Sequence, residues 1–512
     1  MSKPSPTAQN QPPYLLVLDQ GTTSTRAILY NASAQPLAQS QLELPQHFPN
    51  QGWVEHDAEQ IWQHSLQCLR NVLVKADVAS KDVAGLGITN QRETVVLWER
   101  KTGRPLHHAL VWQDRRSADH CQQLREQGAE AMVTQKTGLL LDPYFSATKL
   151  AWLLENVSGA RAAASNGDLA AGTVDSFLVA RLTGLEKHIT DATNASRTLL
   201  YNIHELQWDD ELLSLFQIPQ DILPQVTDSI GKLGTVDDNL LGAPIPIFAI
   251  AGDQQAAAYG QGCRRPGMMK STYGTGCFTL LHCGDQVPQS KNRLLATIAL
   301  MENGACTYAL EGSIFNAGTT VQWLRDQAGF LTSASESEQV AVQANPNSQV
   351  MFVPAFTGLG APHWSAHARG SLFGLCRDTT PADIVRAGLE AVAWQTFDLL
   401  EATSEDIGSM PEVLKIDGGM AQNNWFAQFL ADAVHIPIQR PQDIETTALG
   451  ACLMAGKGAG IFMDETDLAA CWRKDRTFLP SMEPNARNLR LQRWRLAVDS
   501  VVKIADNLRC LA

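Results

Sequence analysis

The chain has 512 residues, 44% of them hydrophobic and 18% charged, with a net charge of −13. That length exceeds what one core usually buries, so two domains of roughly 250 residues are expected, and the composition excludes a disordered chain. The acidic balance, without a long Lys/Arg run, makes the chain a poor candidate for binding nucleic acid or anionic membrane surfaces. No apolar run approaches the ~18 residues of a membrane span. The polar stretch from Met1 to Pro13 reads as a frayed tail without a signal core, so a cytoplasmic location is expected. Ten cysteines without a CxxC pair read as reduced thiols, not as a disulfide framework or a metal cage.

In chain order, Leu15-Leu16-Val17-Leu18 predicts a strand that ends at Asp19. The turn Gln20-Gly21-Thr22-Thr23-Ser24 follows, and Thr25 to Tyr30 resumes a β pattern. Such a hairpin is either a plain surface turn or a phosphate cradle, in which glycine allows close approach and N–H and hydroxyl groups face the oxygens. Asp19 is placed to hold Mg²⁺ through water, and Arg26 supplies a fixed positive charge. Asp57 to Val74 and Ala382 to Ala402 predict helices. Arg92-Glu93, after Gly87-Ile88-Thr89-Asn90-Gln91, is either a solvated surface pair or a donor and acceptor for a polyol's hydroxyls. Trp112, Tyr144 and Phe278 read first as packing aromatics.

Ile245 to Gly252 predicts another strand, ending at Asp253-Gln254-Gln255. Taken alone, Asp253 reads first as the N-cap of a following helix. Its second reading is a carboxylate that accepts a proton from an attacking alcohol. Two further units repeat the strand-to-turn theme: Met269 to Leu281, interrupted by Tyr273-Gly274-Thr275-Gly276, and Val413 to Ile416 running into Asp417-Gly418-Gly419. Their separation predicts two similar α/β domains facing a shared cleft, with a boundary near Tyr259 to Pro266. Neither GxxxxGK[ST] nor GxGxxG occurs, so a P-loop or Rossmann site is not indicated.

The stretches Leu18–Ser24, Gly52–Asp57, Gly87–Thr94, Asp142–Trp152, Thr193–Arg197, Ala251–Ala256, Thr272–Phe278 and Pro354–Pro362 together resemble the FGGY carbohydrate kinases. Within that family they are similar to the members that act on glycerol. The resemblance implies an α/β fold of two ribonuclease-H-like, actin-like domains flanking a cleft. Residues 14–260 would carry the polyol pocket and phosphate hairpin, and residues 261–512 the nucleotide site. It implies ATP and Mg²⁺, with phosphorylation of glycerol to sn-glycerol 3-phosphate and Asp253 as general base.

The implied polyol pocket comprises Arg92, Glu93, Tyr144, Asp253 and Gln254 on hydroxyls, with Trp112 and Phe278 on carbon. The resemblance places Thr22, Thr23, Ser24 and Arg26 at the transferring phosphates, and Thr275, Gly318, Gln322, Gly419 and Asn423 on the rest of the nucleotide. Asp19 and Asp253 would hold the metal, and a homo-oligomer, dimer or tetramer, is implied. A pentulose or another polyol is the alternative substrate. An actin-like ATP-dependent scaffold, which needs no polyol pocket, is the alternative of another class.

Some bacterial members carry a glycine-rich loop with a basic residue before this Asp-Gln-Gln strand, and that loop binds inhibitory fructose 1,6-bisphosphate between subunits. Here Asn239 to Pro246 has one glycine, with Pro244 where the arginine is expected, and no Lys or Arg occurs between Lys232 and Asp253. A dianionic phosphate needs donors and positive charge, and proline has no N–H. The expected outcome is little or no inhibition through this loop in steady-state assays at millimolar bisphosphate and fixed Mg²⁺. Strong inhibition abolished by a Pro244 substitution would overturn it.

Overall fold

The computed structural model describes residues 12–509, so residues 1–11 of the polar tail and Cys510 lie outside the described residues. Thirteen strands form the main sheet. They are β1 (Tyr14–Gln20), β2 (Ser24–Tyr30), β3 (Pro36–Glu43), β4 (Val83–Asn90), β5 (Ile230–Val236) and β6 (Ile245–Gly252), followed by β7 (Met269–Tyr273), β8 (Cys277–Gly284), β9 (Leu295–Glu302), β10 (Ala305–Ile314), β11 (Leu414–Asp417), β12 (Ile438–Pro441) and β13 (Lys474–Phe478). Their spatial order is β3-β2-β1-β4-β6-β5-β9-β10-β8-β7-β11-β12-β13.

This order holds a repeat. β3, β2 and β1 pair antiparallel, β4 and β6 add in parallel, and β5 returns antiparallel. β10, β8 and β7 likewise pair antiparallel, β11 and β12 add in parallel, and β13 returns antiparallel. The two units join through one register pair, Ile230 with Glu302. The two similar α/β units expected from the spaced turns are therefore present as one strand pattern used twice.

Burial follows position. All seven residues of β1 are buried, because strands flank it on both edges and helices cover the sheet. Edge strand β3 has only one buried residue. Helix α1 (Ala58–Ala76) begins where Asp57 accepts from the Glu59 and Gln60 N–H groups, and it buries Ile61, Leu69 and Val72 against the sheet. The second predicted helix runs longer than its pattern, as α2 (Pro381–Ile407), because Thr380 and Asp383 form a capping box and Pro381 opens the first turn.

Helix α3 (Asp253–Gly260) follows β6, and its counterpart α4 (Thr446–Gly458) follows β12. These two equivalent helices cross in backbone contact. A Cβ on Gly450 would lie 1.8 Å from the Ala256 carbonyl oxygen, and one on Gly260 would lie 2.1 Å from that of Thr446. Glycine is required at both positions. No helix among the described residues is long and apolar enough to cross a membrane, and the nine described cysteines carry free thiols.

Beneath the first unit two carboxylates are buried together. Asp175 accepts from Thr190 Oγ1 at 2.6 Å, and Asp191 accepts from Ser229 Oγ at 2.6 Å. Burial, reinforced by Asp191, pushes the Asp175 carboxyl up to about 7. This folded value lies above the unfolded one, so the stability the group contributes is complete below pH ~4 and is lost as pH rises through 7. Asp175→Asn should therefore raise the Tm relative to wild type at pH 8, with the advantage shrinking at pH 5. Thermal melts at both pH values check this; an equal loss at both would refute it.

Candidate active site at the cleft between the two units

Register delivers the polar residues to one edge. β1 and β4 align Asp19 with Thr89 and Gln20 with Asn90, while β4 and β6 align Asn90 with Gly252. The carboxyl ends of three parallel strands thus release Asp19, Gln91-Arg92-Glu93 and Asp253 side by side, where open α/β sheets bind ligands. In the second unit β7 and β11 align Thr272 with Asp417, bringing the turn Gly274–Gly276 beside Gly418 and Gly419.

The phosphate-type hairpin closes with Gly21 N–H donating to the Ser24 carbonyl at 2.9 Å. The Gln91 amide fastens its base, donating to the Gly21 carbonyl and to Gln20 Oε1, both at 3.1 Å. The Trp112 indole N–H donates to Thr22 Oγ1 at 2.9 Å. Trp112 is thus more than a packing aromatic, because it ties the hairpin to the neighbouring pocket. Buried His56 lies beside Gln91, and burial lowers its imidazole to about 4, so it stays neutral at physiological pH.

Arg26, expected to supply a fixed positive charge, is ion-paired. It sits opposite Asp19 on β2 and pairs with Asp19 at 2.8 Å and Glu445 at 2.6 Å. Burial nonetheless pushes the Asp19 carboxyl above the ordinary range.

Arg92 and Glu93 are not a solvated pair either. Their side chains are each 2% exposed. Arg92 grips Glu311 through Nη1 at 2.5 Å and Nη2 at 3.1 Å, and its Nε lies 3.2 Å from Asp253 Oδ1. Arg197 completes the cluster, meeting Glu93 at 2.6 Å and Glu311 at 2.8 Å. Burial raises the Glu93 carboxyl. Burial also opposes ionisation of Glu311, but Arg197 and Arg92 outweigh it and hold that carboxyl below its usual value. Glu93 has a φ of +60°, a strained backbone of the kind found at functional sites. Ser146 Oγ holds its carbonyl at 3.0 Å.

Tyr144 precedes the helix Ser146–Asn156. Lys149, fully buried, donates to the Pro143, Tyr144 and Phe145 carbonyls and so holds the segment that carries the phenol. Burial lowers the Lys149 ammonium to about 8. Trp112 meets Tyr144 and Phe278 edge-to-face at 5.6 and 6.2 Å.

One cavity of about 370 Å³ brings most of the expected residues together. Arg92, Glu93, Tyr144, Asp253 and Gln254 line it with Trp112 and Phe278, and Thr22, Thr23, Thr275 and Gln322 line its continuation. Gln46, Gln113 and Thr272, which the sequence did not single out, line it too. Asp253 is the first residue inside α3, not its cap; Gly252 holds that position, and the Asp253 carboxylate accepts from the Gln254 N–H at 2.7 Å.

Five expected nucleotide residues stand outside this cavity, Arg26 among them. Ser24 opens β2. Gly318 is required by packing, since its Cβ would meet the Gly274 carbonyl oxygen at 2.4 Å. Asn423 caps the helix Asn424–Val434, accepting from Phe426 N–H at 2.8 Å, and donates to Ser337 at 3.2 Å. Gly419 alone faces open space where a Cβ would meet nothing within 4 Å, whereas Gly418 is required by its φ of +85° against Tyr273.

A larger cavity of about 800 Å³ lies elsewhere, around Lys136 and Arg293. Its cations are already paired, Lys136 with Asp209 and Glu211, and Arg293 with Glu130.

Sequence reasoning assigned no role to Lys149, Arg197, Lys270 or Glu311. The available signal was a charge inside an apolar strand, as in Met269-Lys270-Ser271 and Leu310-Glu311-Gly312.

Residues 14–260 match the N-terminal domain, and residues 269–459 the C-terminal domain, of the FGGY family of carbohydrate kinases. The chain is 54% identical over 496 residues to a glycerol kinase of Agrobacterium fabrum, covering 96% of this chain and 99% of that one. It is 53% identical to glycerol kinase 1 of Pseudomonas aeruginosa, covering 95% and 99% of the two chains. The crystal structure of Plasmodium falciparum glycerol kinase with ADP superposes with a TM-score of 0.90 at 34% identity, covering 96% of this chain and 98% of that one. A gluconate kinase of Lactobacillus acidophilus shares the fold, with a TM-score of 0.86 at 22% identity over 98% of this chain and 99% of that one. With its strand pattern used twice and one polar cleft between the copies, this chain belongs to the FGGY family of carbohydrate kinases.

Proposed function

We propose that the protein transfers the γ-phosphoryl group of ATP to a terminal hydroxyl of glycerol, giving sn-glycerol 3-phosphate. One observation carries the reading. A single 370 Å³ cavity sets charged and amide groups against an aromatic wall and runs on to two hydroxyl-bearing turns. A triol suits such a cavity, with CH groups on Trp112 and Phe278 and hydroxyls on Arg92, Glu93, Tyr144, Asp253 and Gln254. The identity to proteins named glycerol kinase supports this substrate over a pentulose. We take residues 14–260 as the unit holding the polyol and the phosphate hairpin, and residues 261–512 as the unit holding the nucleotide.

Asp253 is the general base. Its Oδ1 is already engaged by Arg92 Nε at 3.2 Å and by Gln254 N–H at 2.7 Å. Oδ2 is left to take the proton as the hydroxyl oxygen attacks in line. Thr22, Thr23 and Ser24 offer hydroxyl and N–H donors to the transferring phosphates. Thr275, Gly318, Gln322, Gly419 and Asn423 border the rest of the nucleotide. The aromatic wall keeps water, the competing acceptor, away from the reacting hydroxyl.

Asp19 and Asp253 stand at the carboxyl ends of β1 and β6, with β4 between them, and among the described residues no cluster of three or more ligating side chains exists. Two carboxylates without an all-protein cage suit Mg²⁺, which keeps several waters and arrives with phosphate oxygens. When bound there it would neutralise phosphate charge.

ATP consumption with glycerol, compared with pentuloses and other polyols, tests the substrate; a pentulose preferred over glycerol would overturn the reading. Asp253→Asn keeps shape but cannot take the proton, so kcat should fall about 10²–10⁴-fold while nucleotide binding persists. Retention of a third of wild-type kcat would show that Asp253 is not the base.

A further inference from the structure

Lys270, on β7, is a fully buried charge that the mechanism above does not use. Its Nζ donates to Gln254 Oε1, to Thr272 Oγ1 at 2.8 Å and to the Phe278 carbonyl at 3.4 Å. An ammonium has three N–H donors and no acceptor, so all three are committed. Burial, with Arg92 nearby, lowers its ammonium, and Asp417, Asp253 and Glu311 offset part of that lowering.

Because an ammonium can only donate, the Gln254 amide must turn its oxygen toward Lys270. Its NH₂ group then points the other way, on the side where Gln254 lines the cavity. Among the described residues no protein acceptor engages that NH₂, and the Gln254 backbone N–H is occupied by Asp253 Oδ1.

We propose that Lys270 is a positioning residue for substrate recognition: it fixes Gln254 as a pure hydrogen-bond donor toward the polyol, so one substrate hydroxyl must accept from it. Without Lys270 the amide flips freely, and half its orientations present an oxygen that competes with the substrate's own oxygen for donors. Thr272 and Phe278, held by the same ammonium, keep this amide registered with the aromatic wall. The inference rests on reading the cavity as the polyol site.

The test is a double-mutant cycle on the intact protein, with glycerol and ATP as substrates. Lys270→Met removes the charge and the donors at similar length. It should raise the KM for glycerol about tenfold or more, the scale of a lost charged hydrogen bond, and leave the KM for ATP within about twofold. Gln254→Ala should raise the glycerol KM comparably, and adding Lys270→Met to it should raise it no further. Gln254→Glu keeps an oxygen for Lys270 but removes the pocket-facing donors, so it should match Gln254→Ala. It also preserves the buried partner if Lys270→Met does not fold.

Multiplying effects in the double variant, or a wild-type glycerol KM in Gln254→Glu, would overturn the proposal. Wild type that turns over a pentulose but not glycerol would overturn the underlying substrate reading instead.

Discussion

The site depends on one buried charge cluster, in which Glu311 grips Arg92 with both oxygens and also accepts from Arg197. Glu311 comes from β10 in the second unit, whereas Arg92, Glu93 and Arg197 come from the first. The pocket floor is therefore built from both units, and its ion pairs cross the seam between them. Burying ions in this way is weak evidence of net stability, but removing one partner leaves an uncompensated charge and costs about 3–5 kcal/mol. What the cluster supplies is orientation. With both Nη groups of Arg92 held on Glu311, its Nε is aimed at Asp253. With Arg197 on Glu93, the strained backbone of Glu93 is held in place.

The fold around this cluster is one strand pattern used twice. In each copy the parallel strands release their residues on the same side, and the equivalent helices α3 and α4 cross at Gly260 and Gly450 with backbones touching. Any Cβ there would push the helices apart, and the two sets of strand ends with them. Packing at the back of the cleft thus sets the separation of groups at its front.

Inside the cleft, the cavity and the turns that border it are connected through single side chains. Trp112 lines the cavity and also holds the Thr22 hydroxyl. Gln254 lines the cavity, and its oxygen is held by Lys270 from the second unit. Arg116 makes a similar connection farther out, stacking between Trp53 and Trp152 at 3.8 and 4.5 Å while pairing with Glu55 and Asp114. That contact joins two stretches distant in the chain, Gly52–Asp57 and Asp142–Trp152.

The sequence by itself determined the strands, the turns and the residues that follow them. Local rules suffice there: an apolar run ending in Asp or Gly ends a strand, and the helix predicted from Asp57 begins at that cap. Its order of motifs also placed Arg92, Glu93, Trp112, Tyr144, Asp253, Gln254 and Phe278 in one site, and the cavity does contain them all. Only the tertiary structure decided how each is used. Arg26 is paired with Asp19 and with Glu445, more than 400 residues away, the Asn423 side chain also caps a helix, and Gly318 and Gly418 also pack against backbone. The partners that orient the pocket, Glu311 and Lys270 on strands and Arg197 in a turn, were illegible because a charge there has no meaning until a partner of opposite sign, or an oxygen, is folded against it. Such pairings span large sequence separations, and no local pattern encodes them.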